Sequence, residues 1–94
     1  MSPRLAYRRA AAIAAREHEL SLMRVLRPKG RDARRARHQA IYIAHVMMGV
    51  SQRQVACAAG LALRAVQKAV GTLEDARDNP DIDRRLTTLE ERLA

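Results

Sequence analysis

The sequence predicts an all-α protein, a compact domain of five helices with a long first one. Three observations lead there. The chain has 94 residues, enough for one small core and no second one. Its 48% hydrophobic content is poor in large side chains: aromatics are 2%, Tyr7 and Tyr42 alone, while 18 residues are alanine. Alanine favours helix and lets helices approach closely, whereas the β-branched and aromatic residues that strands favour are scarce. Apolar residues also recur at helical steps between Gly, Pro and Ser breaks.

The first helix is expected from Ser2, a cap followed by Pro3, to about Arg27, where Pro28, Lys29 and Gly30 stop it. Its apolar positions Leu5, Ile13, Leu20, Leu22, Met23, Val25 and Leu26 form a broken stripe padded with alanine. Two placements are open for it: an exposed arm, or packing through Leu20–Leu26 only. The second helix is expected over Asp32–Met48, ended by Gly49, with Ala33, Ala36, Ala40, Ile41, Ala44, Met47 and Met48 on one side. Ser51 and Gln54 have capping-box spacing and open a short third helix that stops at Gly60. The fourth helix covers Leu63–Arg77. Asn79 and Pro80 open the fifth, with Asp81 and Asp83 in its first turn, where acids suit the helix dipole. Its stripe Ile82, Leu86, Leu89 and Leu93 either folds back on helices two and four or makes a seam with a partner; fold-back is the preferred reading, because a small core needs that cover. The expected domains are an N-terminal helix or arm over 1–30 and a DNA-binding domain over 31–94.

Charge narrows the function. Eighteen Lys and Arg against ten Asp and Glu leave +8, and sixteen of the cations are arginine. Residues 1–49 carry +8, residues 50–71 carry +3 with no acid, and residues 72–94 carry −3. Arg24, Arg27, Lys29, Arg31, Arg34, Arg35 and Arg37 crowd fourteen residues relieved only by Asp32. So basic a chain suits a polyanion. No apolar run approaches the roughly 18 residues of a membrane span, and the N-terminus lacks the apolar core of a secretory signal. The single Cys57 cannot form an internal disulfide, which fits a reducing cytoplasm. His38 and His45 share a helix face without a third ligand, so no metal is expected, and no other cofactor is called for. The glutamates converge on no histidine or serine, so no catalytic set emerges and a non-enzyme is expected.

The segment QRQVACAAGLALRAVQKA, Gln52 to Ala69, has the spacing of a helix-turn-helix. Ala56 is small where two helices would cross, Gly60 supplies the positive φ of the turn, and Val55, Leu61 and Val66 fill the wedge. Ala62, Leu63, Arg64, Gln67 and Lys68 are then left for the major groove. Arg64 suits a bidentate pair with guanine, Gln67 one with adenine, and Ala62 or Leu63 a thymine methyl; Lys68 also suits phosphate. Arg34, Arg35, Arg37, His38, Ser51 and Arg53 are the candidate DNA-backbone contacts that set register.

The stretch RARHQAIYIAHVMMGVSQRQVACAAG, from Arg35, resembles the C-terminal DNA-binding domain (domain IV) of the bacterial replication initiator DnaA. Shared features are a basic approach, a long alanine-rich helix, and a Ser-capped short helix reaching a Gly turn. The closing LEDARDNPDIDRRLTTLEERL matches that family's last helix in pattern. The likeness spans about 60 of the 94 residues. It implies that Arg35 and Arg37, with Arg34 beside them, grip phosphate or the minor groove. The chain departs where the family carries an Asp-His-Thr-Thr box: Ala62, Leu63, Arg64 and Ala65 stand there, after a turn one residue shorter. It also has no Gly-rich phosphate loop with a lysine. The resemblance therefore implies a fold and docking mode, without the initiator's target or ATP switch. It is nearer to the small bacterial transcription regulators that use such modules, among them activators of gene transfer agent clusters. The expectation is a cytoplasmic, nucleoid-associated, sequence-specific regulator of double-stranded DNA, which as an activator would recruit RNA polymerase or a companion transcription factor; a sequence-indifferent architectural DNA-binding protein and a basic protein–protein adaptor are the alternatives. Single-copy binding and a homodimer on two half-sites both stay open.

Overall fold

A computed structural model of the chain describes residues 1–93; Ala94, the last residue of the expected 31–94 domain, lies outside the described residues. The described residues are all-α. Six helices follow in order: α1 (Pro3–Glu17), α2 (Leu22–Leu26), α3 (Arg31–Tyr42), α4 (Gln52–Ala59), α5 (Leu63–Ala76) and α6 (Pro80–Leu93). α3 runs on without a break into a π-helical turn, Ile43–Met47.

The expected single helix over residues 2–27 is two helices. Ser2 Oγ accepts from the Leu5 N–H at 3.2 Å and Pro3 takes the first position, as the sequence indicates. The break comes at Glu19, which adopts the left-handed conformation with φ +56°. The Leu20 N–H then reaches back to the Ala15 carbonyl at 2.8 Å, and the Glu19 N–H to that of Arg16 at 3.2 Å. This is a Schellman closure, in which glycine usually occupies the left-handed site. A glutamate there announces no stop, so the sequence reads as continuous helix. Ser21 restarts the chain by accepting from the Arg24 N–H at 3.3 Å.

Neither placement expected for the N-terminal segment holds. Ala6, Tyr7, Ala10, Ala11, Ala14 and Ala15 of α1 are buried in the same core as Ala36, Ala40, Ile41, Val55, Val66 and Leu86. α1 lies along α3, and Ala10, Ala14, Ala36 and Ala40 are fully buried. Methyl-sized side chains on both helices allow the backbones to come close. The seam between α1 and α3 is made by small residues, not by the large apolar ones of the broken stripe.

The remaining elements follow local chemistry. Gly49 (φ +74°) ends the π turn, and His45 Nδ1 donates to the Val50 carbonyl at 2.7 Å. The capping box is complete: Ser51 Oγ accepts from the Gln54 N–H at 3.1 Å, and Gln54 Oε1 accepts from the Ser51 N–H at 3.3 Å. Gly60 is left-handed at φ +69°, and the Leu61 N–H closes on the Ala56 carbonyl at 2.9 Å. α4 and α5 pack together across this turn. Asn79 caps α6 by accepting from the Asp81 N–H at 2.9 Å.

α6 folds back on the body. Leu86 and Leu89 are buried, with Ile82 and Leu93 packed against the same core. It makes few close backbone approaches, so reach is supplied by leucine rather than alanine. No described helix is long and apolar enough to cross a membrane.

Candidate nucleic-acid interface

α5 divides cleanly. Val66, Ala69 and Val70 are buried, Leu63 and Leu73 half-buried, and Arg64, Gln67, Lys68 and Thr72 exposed. The exposed positions recur every three or four residues and so share one helix face. Ala62, also exposed, holds the N-cap position of α5 and makes no side-chain hydrogen bond to it. The Leu63 and Arg64 amides accordingly have no side-chain oxygen from the cap to donate to. On α4, Val55 and Ala56 face inward while Arg53, Gln54 and Cys57 are exposed. Ser51 is exposed, but its hydroxyl is already engaged by Gln54.

α3 packs against α5 and carries Arg31, Arg34 and Arg35 on its exposed side. His38, one turn beyond Arg34 and Arg35, is half-buried. Its pKa lies below the ordinary histidine value because burial disfavours the charged ring, and Arg37 and Lys68 then repel a proton. Arg37 and His38 of α3 and Lys68 of α5 therefore belong to one electrostatic neighbourhood, although they stand thirty residues apart in sequence. The lowered pKa favours the neutral ring, which offers a hydrogen bond rather than a charge.

Arg37 has a second set of neighbours. It is half-buried, its Nε is out of contact with solvent and makes no hydrogen bond, and its charge acts on Tyr7 of α1. Burial raises the Tyr7 pKa, and Arg37 opposes that rise. The Arg37 charge thus acts on Tyr7 of α1 as well as on His38, and its partial burial sets it apart from the freely exposed Arg34 and Arg35.

The distribution of ion pairs separates two sides of the molecule. Among the described residues they are Arg77–Asp83 (2.6 Å), Arg77–Glu90 (2.5 Å) and Arg84–Asp81 (3.4 Å). All lie between residues 77 and 90. Arg34, Arg35, Arg37, Arg53, Arg64 and Lys68 take part in none of them. The acids of the C-terminal segment outnumber its cations and, among the described ion pairs, pair only within it, so the cations of the body have no described counter-charge.

Arg77 was not singled out by sequence, and it is the most heavily bonded side chain described. It donates from Nε to Asp83, from Nη1 to Glu90 and to the Tyr42 hydroxyl (3.0 Å), and from Nη2 to Thr87 Oγ1 (3.0 Å). These hydrogen bonds hold its pKa above the usual arginine range. Its partners lie 6 to 35 residues away, a pattern that no local spacing signals.

The described residues are all-α, and the exposed cations Arg34 and Arg35 of α3, Arg53 of α4 and Arg64 and Lys68 of α5 belong to no ion pair among them. No family model, curated protein or solved structure matches the chain, so its resemblance to the DnaA domain rests on the residues quoted above.

Proposed function

We propose that this protein is a sequence-specific double-stranded DNA-binding transcriptional regulator, with α4, the Gly60 turn and α5 acting as a helix-turn-helix. The observation that carries the reading is the set of exposed, unpaired cations on a span, Val50–Gly71, that contains no acid. Cations without internal counter-charge repel one another and gain most from a polyanion. On this reading Arg64 and Gln67 contact base edges and Lys68 a base or phosphate, with Ala62 and Leu63 beside thymine methyls. Arg34, Arg35, Arg53 and Ser51 set register on the backbone, and Arg37 and His38 support them from the α3–α5 junction. The resemblance to the initiator's DNA-binding domain favours the same docking. RNA polymerase or a companion factor, and a second copy of the chain, are the partners such a regulator would use. No catalysis is assigned.

Selection of binding sites from a random duplex pool at near-physiological salt tests the reading. The expected result is an enriched motif, at which Arg64→Ala loses about 1–3 kcal/mol at one base pair while other positions are unaffected. If roughly five to seven phosphates are engaged, log K falls with log salt at a slope of about −4 to −6. Salt-dependent binding without a motif, with Arg64→Ala weakening all duplexes equally, would make the protein an architectural or nucleoid component. Retention of no DNA would make the basic face a dock for an acidic protein partner.

A further inference from the structure

A cavity of about 470 Å³ opens between the end of α1, α3, α5 and α6. That volume lies in the range of small-molecule sites, roughly 300–1,000 Å³. Its lining is layered. Leu73 and Ile82 are half-buried and Leu86 is buried, which makes an apolar floor. Arg35, Arg85 and Glu17 are exposed at its edge, and none of the three belongs to an ion pair among the described residues.

Gln39, the one buried polar side chain described, at 9% exposure, also lines the cavity. Its Oε1 accepts from His18 Nε2 at 2.5 Å. With its Oε1 engaged, the Gln39 amide nitrogen has no described protein acceptor and is free to donate to a ligand.

We propose that this cavity binds a small amphipathic monocarboxylate, with its carboxylate at Arg35, Arg85 and the Gln39 amide and its hydrocarbon on Leu73, Ile82 and Leu86. Charge selects the class. Two arginines against one glutamate leave a single positive charge, which matches a monoanion, and Glu17 repels a polyphosphate. The planar guanidinium fork suits a planar carboxylate, and the floor rejects a bare inorganic ion. Arg35 also belongs to the face assigned to DNA phosphate. Occupation of the cavity therefore competes with DNA, a consequence that rests on the DNA-binding reading.

Titration of the uniformly ¹⁵N-labelled full chain with octanoate, octanol and inorganic phosphate, followed by amide NMR shifts in the absence of DNA, tests the proposal. Octanoate is expected to shift Leu73, Ile82 and Leu86 saturably, with octanol and phosphate much weaker. Arg85→Gln, at an exposed position, should weaken octanoate by about tenfold, and Arg35→Gln should do the same. No saturable shift at those three residues, equal binding of octanol, or indifference to both arginine substitutions would overturn it. Since no DNA is present, a failure here leaves the DNA-binding reading standing, and the duplex selection decides that one separately.

Discussion

The two ends of this molecule use arginine in opposite ways. On α3 through α5, Arg34, Arg35, Arg53 and Arg64 are exposed and unpaired, over a body whose helices meet through alanine. At the C-terminal end, Arg77 is bonded to two carboxylates, a tyrosine and a threonine, and ties α6 to a body it touches through leucine. One end leaves its cations without a described counter-charge, and at the other an arginine holds the chain together. The difference shows that arginine content by itself says little about function. What matters is whether acids fold back within reach, and here every described ion pair lies on one side.

The largest effect is expected from Leu86→Ala, which removes a side chain 2% exposed at the centre of the α6 contact. It should cost about 3 kcal/mol in urea unfolding, since leucine truncation in a core leaves a cavity. Next comes Arg77→Gln, which opens the clasp. Asp83 and Glu90 are about half exposed, so solvent screening limits the loss to about 1–2 kcal/mol. The same variant should leave duplex affinity nearly unchanged. By contrast, Arg64→Ala should impair DNA binding without lowering the melting temperature.

A smaller gain is expected from Glu19→Gly. Glycine removes the steric cost of the left-handed site at φ +56°, offset in part by a more flexible unfolded chain, for a net of about +0.5 kcal/mol in thermal or urea unfolding. A loss of stability would mean that the Glu19 side chain contributes more than its backbone strain costs.

The smallest effect concerns pH. His38 has a folded pKa below its unfolded value, so below pH 6.5 the unfolded chain binds the extra proton more readily. Its contribution is therefore fully present above the unfolded pKa and declines as pH falls through it. Lys68→Gln should raise the His38 pKa, read from its ring-proton shifts, by removing one repelling charge. An unchanged titration would separate α3 from α5 electrostatically and weaken the shared basic face.

Much of the local structure was legible from residue order. The Ser2–Pro3 start, the Ser51–Gln54 capping box, the Gly49 and Gly60 stops and the Asn79 cap all depend on contacts within a few residues. The buried and exposed faces of α5 were equally readable, because a 3.6-residue period needs no knowledge of the partner. The break at Glu19 was not, since the left-handed position lacks the glycine that marks it. Nor was the docking of α1: a row of alanines is a strong seam or a weak one depending on what lies opposite, and opposite lie Ala36 and Ala40.

Residue order alone sets the helical class, most helix ends, the net charge and its polarity along the chain. Those follow from propensity, capping and composition, all of which act locally or simply add. Packing between helices settles that α1 belongs to the core, that the Lys68 charge acts on His38, and that Arg77 gathers Tyr42, Asp83, Thr87 and Glu90. It also placed Arg35 and Arg85 around one cavity. Each of these depends on the angle and distance between helices. Side-chain size on both facing surfaces sets that geometry jointly, and neither helix records it alone.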